Sequence, residues 1–353
     1  MKNSLLVTAL LLTLIIIFAG CTEEMETINQ PDDYPDLPIS TWFLDIQGTA
    51  ADDIWIAGQP GVLMHFDGTN WSLEDHGDVT LTNLYSNTTG TTFVCGHSGT
   101  VMKNSGNGWS DMSTGIDLNL YGIGKGPYGD IFVCGQGGAL LKLNGSSWDN
   151  TPDEIFWISQ NDTILRSSDD IESFKTINKY AIGGSDAILL VEAHPDSTHQ
   201  YWVKGPIEAS LGEWIIAGWT DEQAIDNNWL VGAEGHLYRL LQANDELSYV
   251  ETSSPGGDHT NLPDLTDIWV DENNSCWFTS RGGQVYKRTP KVFVEEPDYA
   301  LSSEDLTFDV SIGTSLDGIW GTSANDIWVV GYGGAVFHFD GTDWSQQDVP
   351  LPN

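Results

Sequence analysis

Positive charge is scarce in this 353-residue chain: 13 Lys and Arg stand against 51 Asp and Glu, a formal net charge of −38. An acidic surplus of that size keeps a protein soluble and repels phosphate backbones and anionic lipid surfaces. Nucleic acid is therefore not expected as a partner. Cations, basic proteins and neutral glycans are compatible with the charge, and a saline habitat would explain it equally well. Cysteine is scarce too, with four in all. Cys21 follows an N-terminal apolar run. The other three, Cys95, Cys134 and Cys276, are an odd number that cannot all pair within one chain, which excludes a disulfide scaffold. A convincing helical period is lacking in every window, and the density of Gly, Asn, Asp and Thr argues against helix.

The N-terminus has its own logic. Lys2 gives a short basic start, residues 5–18 form a largely apolar run, and Ala19-Gly20-Cys21 follow. The run is short for a membrane span and ends in small residues, the pattern of an export signal. A small-residue exit ending in Cys resembles the lipobox of bacterial lipoproteins, with Phe18 where Leu is commoner. That resemblance implies a signal peptide over 1–20 and a lipidated Cys21 as the mature N-terminus. Several acyl chains on one residue anchor stably where a single chain does not. Residues 22–40 hold six acids, no base and three prolines. They cannot bury a core, so 21–40 reads as a disordered acidic tether to a domain at 41–353. The Glu23, Glu24, Glu26 cluster resembles the acidic export tags of surface lipoproteins in the Bacteroidetes. An outer-membrane lipoprotein, periplasmic or surface-facing, is the expected location.

From Trp42 onward one motif recurs. Its best copy, NDIWVVGYGGAVFHFDGTDW at 325–344, holds two strand-like runs, a glycine turn and a hairpin turn. The aromatic of each copy and the small residue three positions on align as Trp55/Gly58, Phe93/Gly96, Phe132/Gly135, Tyr180/Gly183, Trp229/Gly232, Trp277/Ser280 and Trp328/Gly331. A second glycine follows in six copies, with Asp186 in the seventh, and then an aliphatic in all seven. Nine positions before the aromatic, five copies carry Ile46, Leu84, Ile123, Ile268 and Ile319. Downstream, turns such as DGTNW at 67–71 and DGTDW at 340–344 precede a Trp. Each copy thus predicts four short strands joined by tight turns. Four-stranded repeats 38 to 51 residues apart are the mark of a β-propeller, because one twisted sheet cannot cover both its faces alone and radial stacking does so. The expected fold is all-β, a propeller of seven four-stranded blades. The fourth repeat carries an extra segment, 156–174, which reads as a strand plus an inserted hairpin, or alternatively as part of an eighth blade.

Ser167-Ser168-Asp169-Asp170-Ile171-Glu172-Ser173-Phe174 resembles the Asp-box, and the DGTNW and DGTDW turns look like relaxed forms of it. The whole repeat is similar to the BNR/Asp-box propeller superfamily, which holds sialidases, the photosystem II assembly factor family and bacterial lipoproteins with NDIW-x-VG repeats. The resemblance is specific for fold and poor for function. It implies that Asp67, Asp169 and Asp340 order hairpins and do not catalyse.

The chemistry offers little to single out. A sialidase needs three arginines for the substrate carboxylate, and this chain has four in all: Arg166, Arg239, Arg281 and Arg288. Arg166 and Arg239 share an outer-strand position with Lys103, Lys142 and Lys287, which reads as a solvated or acid-paired face. His65 and His338 are repeat equivalents and read as structural. Neither HExxH nor DxDxDG occurs, so no metal or other cofactor is expected, and calcium is admitted by charge alone. No catalytic residue is proposed. Cys95 and Cys134 sit in equivalent FVCG runs and read as buried apolar residues, with a bridge between them as the alternative.

Loops beyond what connectivity needs are where function tends to sit. On the face carrying the glycine turns and the connections between repeats, the turns display Gln59, His97, Gln136, Glu234, Arg281 and Tyr332. The two longest connections, 252–265 and 296–315, carry Asp258, His259, Asp298, Tyr299, Glu304 and Asp305. Of these, Gln59, His97, Gln136, Asp258, His259, Arg281, Tyr299 and Tyr332 are the candidate ligand contacts. The expected activity is non-enzymatic binding of a protein or glycan by a monomer. A glycosidase or lyase on the same scaffold is the alternative.

Overall fold

The computed structural model describes residues 41–126, 129–150, 155–158, 174–177, 181–184, 187–193, 201–208, 215–219, 228–235, 237–243, 246–251, 264–288 and 307–352. The chain divides into 1–36 and 37–353, and every described residue belongs to the second unit. The leader, Cys21 and the acidic stretch lie outside the described residues.

Those residues form seven sheets. Sheet one is β1 (Trp42–Ala50), β2 (Asp53–Gln59), β3 (Val62–Phe66) and β4 (Trp71–Asp75). Sheet two is β5 (Leu81–Ser86), β6 (Thr92–Gly96), β7 (Val101–Asn104) and β8 (Trp109–Asp111). Sheet three is β9 (Leu120–Lys125), β10 (Ile131–Gly135), β11 (Leu140–Asn144) and β12 (Ser147–Asn150). Sheet four holds β13 (Ile155–Ile158), β14 (Phe174–Ile177), β15 (Ala181–Gly184), β16 (Ala187–Ala193) and β17 (Tyr201–Glu208). Sheet five is β18 (Ile215–Trp219), β19 (Asn228–Gly232), β20 (Leu237–Ala243) and β21 (Glu246–Glu251). Sheet six is β22 (Leu265–Val270), β23 (Cys276–Ser280), β24 (Gln284–Arg288) and β25 (Thr307–Ser311). Sheet seven is β26 (Leu316–Ser323), β27 (Asp326–Gly331), β28 (Ala335–Phe339) and β29 (Trp344–Gln346).

Six sheets run antiparallel in chain order. The fourth does the same from β14 to β17 and adds β13 at its outer edge, parallel to β17. The extra segment of the fourth repeat therefore supplies a fifth strand there, and the hairpin expected after it lies outside the described residues. The first strands succeed one another around a closed circuit: β1 packs on β5, then β9, β14, β18, β22 and β26, and β26 returns to β1. This is a β-propeller.

Packing between neighbouring sheets explains the aromatic columns. Trp109 of sheet two stands edge-on to Trp55 of sheet one, with ring centroids 5.0 Å apart. Trp71 of sheet one meets Trp328 of sheet seven at 5.7 Å, and Phe339 of sheet seven meets Trp277 of sheet six at 6.1 Å. Such pairs contribute about 0.5–1.5 kcal/mol each beyond area burial. The aliphatic column Ile46, Leu84, Ile123, Ile268 and Ile319 is buried throughout.

The hairpin turns behave as the Asp-box resemblance implies. Asp67 Oδ1 accepts the N–H groups of Thr69 and Asn70, and Asp340 Oδ1 those of Thr342 and Asp343, at 2.8–3.0 Å. Asp169 lies outside the described residues. His65 and His338 are structural: each stacks on its repeat's Trp at 4.0–4.1 Å and bonds the aspartate that opens the second strand, Asp53 at 2.9 Å and Asp326 at 2.7 Å. The lysines at the same position lie over aromatic rings as well, Lys103 over Phe93 and Lys287 over Trp277, while Lys142 pairs with Asp130 at 3.3 Å. The acid-paired half of the expectation holds for Lys142. At Lys103 and Lys287 the solvated half gives way to cation–aromatic packing, which shields the ring face; Arg166 and the Arg239 side chain lie outside the described residues. Cys95, Cys134 and Cys276 are buried and form no disulfide, so no bridge joins the first two, and burial pushes the Cys95 thiol up to about 12.

Candidate functional site

Because all seven sheets share one strand order, the turns between second and third strands gather at one end of the ring, with the connections between sheets. A repeated pair of backbone bonds builds this face. The turn residue's N–H donates to the carbonyl just before the first strand of its own sheet: His97 to Thr80, Gln136 to Asn119, Arg281 to Asp264 and Tyr332 to Ser315, at 2.8–3.1 Å. The glycine that follows donates to the chain entering the next sheet, as Gly61 does to Val79 and Gly99 to Leu118, both at 2.7 Å. With its backbone bonds fixed locally, the turn residue's side chain is free to vary.

Glycine is required here by contact. A Cβ on Gly331 would lie 2.0 Å from the Ser315 carbonyl, and one on Gly61, at φ +47°, 2.1 Å from the Gly77 carbonyl.

The sequence candidates separate on this face. Gln136 and Arg281 are exposed, and Gln59 and His97 half-exposed. Gln59 Oε1 accepts the Thr80 hydroxyl at 3.5 Å. His97 stands edge-on to Tyr121 at 6.4 Å, and Gln136 Oε1 accepts the Asn119 N–H at 3.4 Å. Arg281 pairs with Asp264 at 3.6 Å. Tyr332, 37% exposed, is the one large apolar side chain among the described residues that counts as exposed. Asp258, His259 and Tyr299 lie outside the described residues, as do Asp298, Glu304 and Asp305.

Tyr332 marks the seam where the last sheet meets the first. Gly333 and Gly334 both donate N–H to the Thr41 carbonyl, at 2.9 and 3.1 Å. Tyr332 bridges to Trp42, whose ring it meets edge-on at 5.5 Å. The Trp42 indole N–H donates to Asp317 Oδ2 at 2.6 Å. Arg281 and Tyr332 are thus linked through Asp317: burial lifts its carboxyl to about 6, and hydrogen bonds from Trp42 and Ser315 and the Arg281 charge restrain the rise.

Sequence reasoning missed the carboxylates behind this seam. Every first strand carries a bulge at one register position, with Leu44, Thr82, Tyr121, Lys175, Ile216, Thr266 and Asp317 as the extra residues. The next residue is Asp45, Asn83 or Asp267 in three sheets. Asp45 Oδ2 accepts the Leu84 N–H at 2.7 Å and the Asn83 amide at 2.6 Å. Asn83 Oδ1 accepts the Ile123 N–H at 2.9 Å, and Asp267 Oδ2 the Ile319 N–H at 2.9 Å. Thr82 and Thr266 add bonds to the Leu120 and Leu316 carbonyls at 2.7 and 2.6 Å. Each of these residues satisfies a backbone group of the following sheet. Desolvation raises Asp45 well above the usual carboxylate range, helped by Asp267, and raises Asp267 to about 7, helped by Asp317. The available signal was the polar residue directly before Ile46, Leu84 and Ile268.

Among the described residues no three His, Cys, Asp or Glu side chains are grouped to hold a metal ion. No helix among them is long and apolar enough to cross a membrane.

No family model and no curated protein matches this sequence. Solved structures do match in fold. YCF48 from Cyanidioschyzon merolae superposes with a TM-score of 0.57 at 14% identity, over 86% of this chain and 96% of its own. YCF48 bound to D1 peptide gives 0.51 at 14% identity, over 88% and 98%. Virginiamycin B lyase from Staphylococcus aureus, with quinupristin, gives 0.56 at 14% identity, over 84% and 94%. The extracellular domain of a putative hybrid two-component system of B. thetaiotaomicron gives 0.57 at 11% identity, over 85% of this chain and 38% of its own. At these identities the likeness establishes the propeller fold.

Proposed function

We propose that this propeller is a non-enzymatic binding protein that holds a segment of a protein or glycan on its turn face, outside the cytoplasm, anchored through a lipidated Cys21. The observation that carries the reading is the division of labour on that face. Backbone bonds and glycines are repeated from sheet to sheet, while the side chains presented vary, with Gln59 and Gln136, His97, Arg281 and Tyr332. A surface whose frame is constant and whose display varies is suited to recognition. The structure of YCF48 with D1 peptide supports peptide binding as within the reach of this fold, and the extracellular neighbour agrees with an exported protein. Seven sheets read as seven blades.

The test is alanine replacement of Gln136, Arg281 and Tyr332 together, compared with replacement of Asp343 on a hairpin turn, in a pull-down from cell envelope and on a glycan array. Capture lost only in the triple variant supports the reading. Capture equal to that of the unaltered chain in both assays overturns it.

The second reading, a glycosidase or lyase, draws on the raised carboxyls of Asp267 and Asp317, since a general acid must hold its proton near neutral pH. It is the weaker one. Asp45 and Asp267 each already accept two backbone N–H bonds, which fixes them to structural work. Turnover on a broad glycan panel, lost in Asp317→Asn, would reverse this ranking.

A further inference from the structure

We propose that the seam between sheets seven and one, formed by Trp42, Tyr332 and Asp317, receives the ammonium or guanidinium group of a basic segment of a protein partner. The proposal deepens the turn-face reading above and rests on it.

Three observations converge. The first is aromatic: Tyr332 is exposed on the turn face and meets Trp42 edge-on at 5.5 Å. A cation over such rings is attracted by their negative faces, and more strongly as it is desolvated. The second is the carboxylate beside them. Both hydrogen bonds to Asp317, from Trp42 Nε1 at 2.6 Å and Ser315 Oγ at 3.4 Å, fall on Oδ2. Oδ1 has no partner among the described residues, so one oxygen of a half-buried carboxylate is left to a ligand. The third is the surrounding charge. Arg281 is near enough to act on Asp317, yet its guanidinium pairs with Asp264 at 3.6 Å. Behind Asp317 stand Asp267 on β22 and Asp45 on β1, and the whole chain carries −38. A field of that sign steers a basic partner toward the seam and repels an acidic one.

The groups facing Asp317 set a pH signature. Asp267 opposes its ionisation, Arg281 favours it, and Asp264 offsets Arg281. An arriving cation favours the ionised form, so binding expels a proton wherever Asp317 is partly protonated. Affinity then rises with pH through about 6 and levels off above it.

The experiment uses fluorescence anisotropy of a labelled, end-blocked Gly-Lys-Gly-Lys-Gly peptide and its Gln counterpart, titrated with the full chain at about pH 5 and about pH 7.5. The Lys peptide is expected to bind and the Gln peptide not. Asp317→Asn is nearly isosteric and keeps an acceptor for Trp42; it should weaken binding roughly tenfold and abolish the gain between the two pH values. Tyr332→Ala should weaken it several-fold, with Tyr332→Phe restoring it. Asp343→Asn, an exposed acid on a hairpin, should change nothing. The proposal is overturned if Asp317→Asn binds the Lys peptide as the unaltered chain does, or loses no more than Asp343→Asn. If the peptide ignores the seam while the triple turn-face variant still loses its captured partner, this inference falls and the turn-face reading stands.

Discussion

Asp45 Oδ2 accepts the backbone N–H of Leu84 at 2.7 Å, so a carboxylate on the first strand of one sheet closes a backbone hydrogen bond of the next. Both residues are buried, and an unsatisfied amide at that depth costs about 1–3 kcal/mol. Asp45→Ala should therefore destabilise by about that amount, and Asp45→Asn by markedly less, because the amide oxygen still accepts. Urea unfolding of the two variants checks this; equal losses would show that the bond to Leu84 contributes nothing.

The raised acids reverse the usual direction of acid stability near neutrality. Asp267 at about 7 and Asp317 at about 6 lie above their unfolded value of 3.8. Between about pH 4 and 7 the folded chain therefore holds more protons than the unfolded one, and stability falls as pH rises. Below that window the opposite group takes over. Hydrogen bonds to Thr49 and His65 outweigh desolvation at Asp53, and bonds from Ser113 depress Asp111. Their stabilisation is lost as pH drops through their lowered values. Melting temperature should thus be higher at about pH 5 than at about pH 7.5, and Asp267→Asn should flatten that slope. A steeper slope in the variant would refute the assignment.

Two glycines with different surroundings make a paired test. A Cβ on Gly331 meets the Ser315 carbonyl at 2.0 Å, whereas one on Gly77, at φ +79°, meets nothing within 4 Å. Gly77→Ala should lose about 1 kcal/mol, from backbone strain alone. Gly331→Ala should lose about 3 kcal/mol or fail to fold, since the carbonyl it strikes anchors the Tyr332 turn. Thermal melts rank the two.

The three thiols should be inert in the folded chain. Cys95, Cys134 and Cys276 are buried and form no disulfide, and thiolate formation at Cys95 is pushed to about 12. A thiol reagent is expected to leave all three unmodified in buffer and to modify all three in strong denaturant. Rapid labelling of the folded protein would contradict the packing.

Much of the architecture was legible before any coordinates. The aromatic, glycine and aliphatic columns exist because every sheet solves one problem, covering both faces with its neighbours. A requirement repeated seven times leaves a period in the chain. The Asp67 and Asp340 turns and the buried Cys95 and Cys134 were readable for the same reason: each is local, or repeated in register. The turn candidates were found by place, as the residues displayed by the turns on the face that carries the connections between repeats. Trp42, Asp317, Asp45 and Asp267 escaped both searches. Trp42 and Asp317 break the repeat without standing in a turn, and the other two look like ordinary acids among 51.

The sequence by itself determined the all-β class, the four-strand repeat and the face on which variation collects, since these follow from nearest-neighbour chemistry along the chain. Only the tertiary structure decided which residues meet at the closing seam. Trp42 and Asp317 are 275 residues apart in sequence, and no local pattern encodes a contact that exists because the ring returns on itself. The same closure sets β22, β26 and β1 side by side, and with them three carboxylates in a desolvated setting. Their altered proton affinity is a property of the ring, not of any repeat within it.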